Sequence, residues 1–325
     1  MKNAENFKNQ TIGIEIEMTG ITRQQAAIVI AKFFQTEETY VGGVYHAFEV
    51  RMPDGRKWNV MRDNSIRPQQ KKHGRIVSAS DGHKVEVTSP ILRYDEIKTL
   101  QELVRALRKA GAMVNHSAGI HIHIGAEKFT PQTLRNIVNI IASKEDILYR
   151  ALKVDTNRID YCKKTNENLI EAINKEKPAT MEQVKKIWYR EDPYNTTAHY
   201  NHTRYHGLNL HATFTKGTIE FRLFNSTLHA GEIKAYIQFC LAVTNQALTQ
   251  KRALPRKTST ANDKYSFRCW LLRLGLIGDE FKTCRHHLLK NLDGIAAWRT
   301  KEQAENAKAN SQDQTQEAEG QRTAA

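Results

Sequence analysis

Three pairs of polar residues stand two apart, each threaded through apolar neighbours: Glu15 and Glu17 in IGIEIEM, His121 and His123 in GIHIHIG, and Glu220 and Arg222 in TIEFRLF. Glu86 in KVEVT has the same setting. Successive side chains of a strand alternate between its two faces. The members of each pair therefore share one face, while Ile14 and Ile16, Ile120 and Ile122, and Ile219 and Phe221 take the other. One sheet would gather four carboxylates, two imidazoles and a guanidinium opposite its apolar core. Glu is depleted in strands, and an ordinary solvated face would carry Thr, Lys and Ser instead. Carboxylates crowded on one face repel one another unless cations neutralise them. A carboxylate set with one or two histidines suits Mg²⁺ or Mn²⁺, whereas zinc favours a tighter group of His and Cys. A guanidinium beside such metals suits phosphoryl transfer, because it neutralises charge on the transferred group. The chain has neither a Walker A sequence nor GxGxxG, so a nucleotide would be held by metals, sheet residues and loops.

The elements that must position these residues are legible from periodicity. Residues 12–18 alternate as a strand. Thr22 and Gln25 form a capping box ahead of the helical run AAIVIAKFF. YHAFEVRM and RKWNVMRDNSI flank Pro53-Asp54-Gly55 and read as a β-hairpin, with Trp58 as a packing residue. KVEVT is a strand stopped by Pro90, and residues 95–110 carry the helical stripe Ile97, Leu100, Leu103, Val104 and Leu107 up to Gly111. Thr130-Pro131 opens another helix that runs through Leu148. Residues 152–200 are polar and helical in pieces, with a cap at Thr180 and Gln183. HGLNLHATF and KGTIEFRLF read as a strand pair joined around Lys216-Gly217, and Glu232 to Thr249 as a helix. The class is α+β, with residues 1–250 as the catalytic unit, 251–300 as a basic helical appendage, and 301–325 as a polar tail expected to be disordered.

Forty-nine Lys and Arg against 35 Asp and Glu give a net charge of +14, which suits acidic or phosphorylated ligands or nucleic acid, the last through the basic C-terminal region. Cys162, Cys240, Cys269 and Cys284 contain no CxxC, against a zinc ribbon or a disulfide framework. No apolar run is long enough for a membrane span, and MKNAENFKNQ has no secretory apolar core. These features predict a cytoplasmic protein without a membrane partner.

The ordered set GIEIE, WNVMRDNSI, VEVTSPIL, SAGIHIHIG, RYHGLNL and TIEFRLFNST resembles the amidoligase family, over roughly residues 11–245. That family belongs to the carboxylate–amine ligase superfamily of glutamine synthetase and glutamate–cysteine ligase. The resemblance implies a glutamine-synthetase-like fold, a curved and mostly antiparallel sheet with helices on its outer face and the site on the concave one. It implies ATP with Mg²⁺ or Mn²⁺ as cofactors, and an amide or peptide-type bond made through an acyl-phosphate. Small-molecule or peptide carboxylates and amines would be the substrates. Glu15 and His121 with Glu220 would hold one metal beside the ATP phosphates, and Glu17 with Glu86 a second. His123 would lie toward the nucleotide, and catalytic Arg222 would contact the γ-phosphate. Asp63 and Ser65 fall where the family reads Asp-Gly-Ser; Asn64 replaces the Gly and is expected to tolerate positive φ there. Arg204 and Asn209 would reach the substrate, although a strand-edge hydrogen bond suits Asn209 equally well.

Two other classes compete. His-hydrophobic-His also marks metal-dependent DNA-nicking nucleases of mobile elements, with Tyr149, Tyr161 or Tyr189 as nucleophile, but that reading leaves Glu15, Glu17, Glu220 and Arg222 without work. A non-catalytic nucleic-acid-binding module would need none of the metal-type residues. Arg62 and Arg67 suit phosphate, and His202, His206 and His211 read as surface or packed residues.

Overall fold

The structure, a computed structural model, describes residues 7–300 together with 302, 303, 305 and 306. Its strands are β1 (Ile12–Met18), β2 (Glu38–Gly42), β3 (Ala47–Arg51), β4 (Lys57–Met61), β5 (Gln69–Lys72), β6 (Arg75–Ser78), β7 (Val85–Thr88), β8 (Gly119–Gly125), β9 (Leu208–Asn209) and β10 (Thr218–Asn225). Eight of them form one sheet in the order β2-β3-β4-β7-β1-β8-β10-β9, while β5 and β6 pair separately. Every pairing is antiparallel. The four strands that carry the polar pairs, β7, β1, β8 and β10, are therefore contiguous in the middle of the sheet.

Register does the rest. Glu17 stands opposite Glu86, Glu15 opposite His121, and His123 opposite Glu220. Between Phe221 and Phe224 the β10 strand bulges, so that Arg222 and Leu223 together face His121. A bulge of this kind re-aims a side chain. Here it leaves Arg222 beside His121 and returns Phe224 to the apolar face, where it stacks on Tyr236 at 4.4 Å.

The helices are α1 (Arg23–Phe34), α2 (Ile97–Lys109), α3 (Pro131–Leu152), α4 (Glu167–Glu176), α5 (Met181–Trp188), α6 (His211–Thr215), α7 (Ala230–Thr249), α8 (Asp263–Arg273) and α9 (Lys282–Leu289). Capping boxes start α1 at Thr22, α3 at Thr130 and α5 at Thr180. Helix α1 packs on β3, β4 and β7, and α7 packs on β8, with α2 and α3 beside it. Ile14, Ile16, Ile120, Ile122, Ile219 and Phe221 are buried in the resulting core. Trp58 is part of it, stacked on Phe34 at 6.1 Å. Helices α8 and α9 lodge Phe267, Trp270, Leu271 and Leu288 in the same cluster, so the basic segment after 250 is packed on the body. Among the described residues no helix is long and apolar enough to cross a membrane.

Several expectations need correction. HGLNLHATF is not a strand: only Leu208 and Asn209 pair with β10, and His211–Thr215 is helix α6. The cause is local, because the Asn209 side-chain oxygen accepts the His211 amide at 2.8 Å and diverts the chain into a turn. Edge strand β2 and the β5–β6 hairpin carry no clear apolar alternation and were not anticipated. Asn64 is absent from the residues of positive φ, so its place in the Asp63–Ser65 turn requires no special conformation. In the polar tail, residues 302, 303, 305 and 306 are exposed and helical; the rest of the segment expected to be disordered lies outside the described residues.

Candidate active site

The face of the sheet opposite the core is buried too. Glu15, Glu17, Glu86, His121, His123, Glu220 and Arg222 are each no more than 9% exposed. A cavity of about 680 Å³ opens above them, lined by Glu15, Glu17, Glu86, His121 and Arg222 from the sheet. Asp63 and Ser65 line it from the loop after β4, and Tyr161, His199, Tyr200, Arg204 and Tyr205 from the opposite wall. The hydroxyls of Tyr45 and Tyr200 meet at 3.0 Å and link loops from the two sides. Residues far apart in sequence thus enclose one polar chamber.

Within it the carboxylates divide into two kinds. Glu15 meets Nδ1 of His121 at 2.8 Å and Nζ of Lys216 at 3.3 Å. Burial opposes its ionisation, but the nearby His123 ring, the hydrogen bond with His121 and the Lys216 charge hold the carboxyl well below the ordinary range. Glu220 accepts from Arg222 at 2.6 Å and from Asn209 at 2.6 Å. Burial opposes ionisation there as well, and Arg222 with His123 overcomes it, so Glu220 stays ionised far into acid. Glu17 and Glu86 lack such partners. Burial first and Asp63 second push Glu17 up to about 8, despite the hydrogen bond it accepts from the Gly119 amide at 2.6 Å. Burial, with Glu15, Asp63 and Glu17 nearby, also raises Glu86 well above the usual range.

Two trios of ligand-type atoms follow, each with mutual distances within 4.8 Å: Glu15, His123 and Glu220, and Glu17, Asp63 and Glu86; a third, Glu15, Glu86 and His121, lies between them. His123 supplies the sharpest test of fit. Its Nδ1 meets the Thr218 hydroxyl at 2.9 Å, while its Nε2 is buried without a hydrogen-bond partner. That nitrogen lies 3.3 Å from Glu15 and 3.8 Å from Glu220. A ring pinned through one nitrogen with the other aimed at carboxylates is how a metal-binding histidine is oriented. His121 instead spends Nδ1 on Glu15 and turns Nε2 toward Glu17 at 3.6 Å, and burial with Arg222 lowers it to about 4, so the ring is neutral. The resemblance grouped His121 with Glu15 and Glu220; both histidines approach those carboxylates, His121 through Nδ1 at 2.8 and 3.9 Å and His123 through its unpartnered Nε2. His123 and Glu220 do not line the cavity themselves but stand behind Glu15, in reach of its carboxylate.

The other expected site residues fall out as follows. Asp63 is turned inward by the Ser65 amide and hydroxyl at 2.6 and 2.5 Å. Arg204 lines the cavity wall, lying over the rings of Tyr200 and Tyr205. Asn209, expected at the substrate, has both ends engaged internally, on Glu220 and on the His211 amide, so it is a strut that holds Glu220. Arg62 lines the cavity, but Arg67 does not. Tyr149 and Tyr189, offered as nucleophiles for a nuclease, are spent on the Cys162 carbonyl at 2.6 Å and on His211 at 2.5 Å.

A family model described as a putative amidoligase enzyme matches residues 8–244, a span that holds every residue of both trios. The chain belongs to that family. No curated protein matches this amidoligase-family chain. Among solved structures it is similar to a bifunctional glutathione synthetase from Pasteurella multocida, at 11% identity and a TM-score of 0.37. The match covers 89% of this chain and 48% of that one, so the chain spans about half the length of that enzyme.

Two site residues of this amidoligase-family protein escaped the sequence reading. Lys216 reaches Glu15 from the turn before β10, and burial is outweighed by Glu15 and Glu220 so that its pKa is raised. Its signal was available: 216, 218, 220 and 222 share one parity. Arg158 is 3% exposed and lines the cavity, donating to the carbonyls of Phe224 at 2.6 Å and Arg222 at 2.9 Å. It thereby clamps the bulge that aims Arg222. Its guanidinium occupies the space a Cβ on Gly119 would need, 2.2 Å away, so a larger residue there would displace Arg158 from its place.

Proposed function

We propose that this amidoligase-family protein is an ATP-dependent carboxylate–amine ligase working with two divalent cations, Mg²⁺ or Mn²⁺. The observation that carries the reading is the unpartnered Nε2 of His123 aimed at Glu15 and Glu220, beside a second carboxylate trio that is short of positive charge. Glu15, His123 and Glu220 would hold one cation, and Glu17, Asp63 and Glu86 the other, with His121 between them. The cations would supply charge stabilisation to the phosphates and to the transferred phosphoryl group.

In the reaction, a substrate carboxylate oxygen attacks the γ-phosphorus of ATP and ADP leaves, giving an acyl-phosphate. An amine nitrogen then attacks the acyl carbon, phosphate leaves, and the amine gives up a proton. Arg222, held by Glu220 and by the bulge, would meet the γ-phosphate and later the acyl-phosphate. Lys216 would neutralise phosphate charge on the Glu15 side, and Arg204 would steer an anionic substrate from the wall. Ser65 keeps Asp63 turned into the chamber. The antiparallel sheet with helices on its apolar face supports a glutamine-synthetase-like catalytic fold, with residues 1–250 as the catalytic unit and 251–300 bracing it. Four free cysteines suit a reducing cytoplasm, where ATP is at hand.

The first test is calorimetry of ATP with and without Mg²⁺ or Mn²⁺, on the wild type and on Glu86→Gln. Burial and the neighbouring carboxylates favour the neutral form of Glu86, so the isosteric Gln removes a ligand charge with little expected disturbance of the metal-free fold. Metal-dependent ATP binding that falls at least about tenfold in the variant supports the site. Absence of ATP binding with either metal would refute the ligase reading.

A further inference from the structure

The hairpin of β5 and β6 stands apart from the main sheet, with its base tied down and its tip free. Thr19 and Gln69 exchange hydrogen bonds at 2.8 Å, and the Gly20 amide donates to the Gln69 carbonyl at 2.9 Å. The reversal uses His73 and Gly74, both at positive φ (48° and 78°), the pattern of a tight two-residue hairpin turn. An isolated two-stranded hairpin is marginal in water, and this one is weakened further by its own sequence. Lys72 sits directly opposite Arg75, a like-charge pairing that destabilises a sheet. No acidic residue occurs between Asp63 and Asp81, whereas Arg67, Lys71, Lys72 and Arg75 all do. None of those four cations has an ion pair among the described residues. Ile76 is 59% exposed in their midst.

A second cavity of about 500 Å³ lies against this hairpin, with Arg67, Gln69, Ile76, Met113 and Ser117 in its walls. Gln69, Lys71 and Ile76 share one face of the hairpin by register, so Lys71 stands over the cavity side. Ser117 also lines the active-site cavity, and its hydroxyl accepts the Arg67 amide at 2.8 Å. Ser117 is common to the walls of both spaces. The one carboxylate in the second cavity, Asp155, is already engaged by His116 at 3.1 Å and by the Asn157 amide at 2.9 Å.

The geometry points to a docking site for an acidic peptide: an extended segment lies in the second cavity with its carboxylates on Arg67 and Lys71, and passes Ser117 into the active site. The delivery of one carboxylate to the metal face rests on the ligase reading; the docking itself does not. A free amino acid would need only the first cavity. Nucleic acid has no carboxylate to activate, and no Phe, Tyr or Trp lines the second cavity to stack a base. Ile76 and Met113 suit peptide side chains instead.

The test is fluorescence anisotropy of a fluorescein-labelled octaglutamate peptide with the full chain, without nucleotide, compared with labelled octathymidine DNA. The hairpin variant is Arg67→Ala/Lys71→Ala, and the charge-matched control is Lys251→Ala/Arg252→Ala. The hairpin variant should bind the peptide roughly tenfold more weakly or worse, and the control within about twofold of wild type. Equal binding by the hairpin variant, no binding by the wild type, or tighter binding of the DNA through the same residues would overturn the proposal. Hairpin-dependent peptide binding in a chain that shows no metal-dependent ATP binding would sink the ligase reading alone. Normal ATP binding with hairpin-independent peptide binding would sink the docking site alone.

Discussion

The two faces of the central sheet are made by the same strands, residue by residue, and both are buried. Ile14, Ile16, Ile120 and Ile122 are at most 1% exposed on one side, and Glu17, His121 and Arg222 are 4% exposed on the other. On the apolar side burial contributes roughly 1.5–3 kcal/mol per large side chain. On the polar side the same loss of water is a cost, which only charge partners offset. The polar face splits again. Toward β10, Arg222, Lys216 and two imidazoles keep Glu15 and Glu220 ionised. Toward β7, Glu17 and Glu86 face each other across the ladder without a Lys or Arg ion pair among the described residues, and burial with neighbouring carboxylates pushes both toward the neutral form. The lesson is that the apolar face stabilises the fold, while the polar face is left partly unsatisfied where a ligand cation would complete it.

The largest effect comes from making the apolar face resemble the polar one. Ile122→Asp puts an unpaired carboxylate among fully buried side chains, which should cost more than about 4 kcal/mol and leave little folded protein. Thermal melting and near-ultraviolet dichroism would read it, and a melting temperature near that of wild type would mean the two faces have been assigned the wrong way round. Next comes Glu220→Gln. It removes a ligand charge but also strips buried Arg222 of its 2.6 Å ion pair, so ATP turnover should fall at least about a hundredfold and stability should drop by a few kcal/mol. Turnover at the wild-type rate would remove Glu220 from the machinery. Loss of turnover without any change in melting temperature would show that Arg222 does not depend on Glu220 for its charge balance.

The alternation of Glu15, Glu17, His121, His123 and Glu220 was legible because strand parity is local and strict, and β1, β8 and β10 form where the parity put them. The same parity contained Lys216 and Thr218, had it been followed two steps upstream of Glu220. Arg158 had no such signal. It sits in a 3-10 turn at Thr156–Tyr161 within an aperiodic polar stretch, and its position depends on the missing Cβ of Gly119, remote in sequence. Asn209 was readable as polar but not as a strut, since that depends on which partner lies opposite it in β10. Which of His121 and His123 serves the Glu15 and Glu220 pair turns on ring rotation. Register places both histidines on the right face, and only the Thr218 hydroxyl and the Glu15 carboxylate decide where each nitrogen points.

The smallest effect is also the most discriminating between the two halves of the polar face. Glu17 titrates near 8 in the folded chain and near 4.5 when exposed. Between those values the folded protein keeps a proton that the unfolded chain has released, so metal-free stability must fall as pH rises across that window. Glu86 adds to the slope in the same direction. Glu15 and Glu220, with lowered values, act oppositely and only in acid: they stabilise above the ordinary carboxylate range and lose that contribution as pH falls below it. A series of melts from pH 5 to 8 without metal should therefore show a declining melting temperature that Glu17→Gln flattens. Adding Mg²⁺ or Mn²⁺ should raise it more at pH 8 than at pH 6, because at the higher pH the cation displaces fewer protons. A flat metal-free profile, or equal stabilisation by metal at both pH values, would mean that Glu17 and Glu86 are already compensated and that the β7 side is not a cation site.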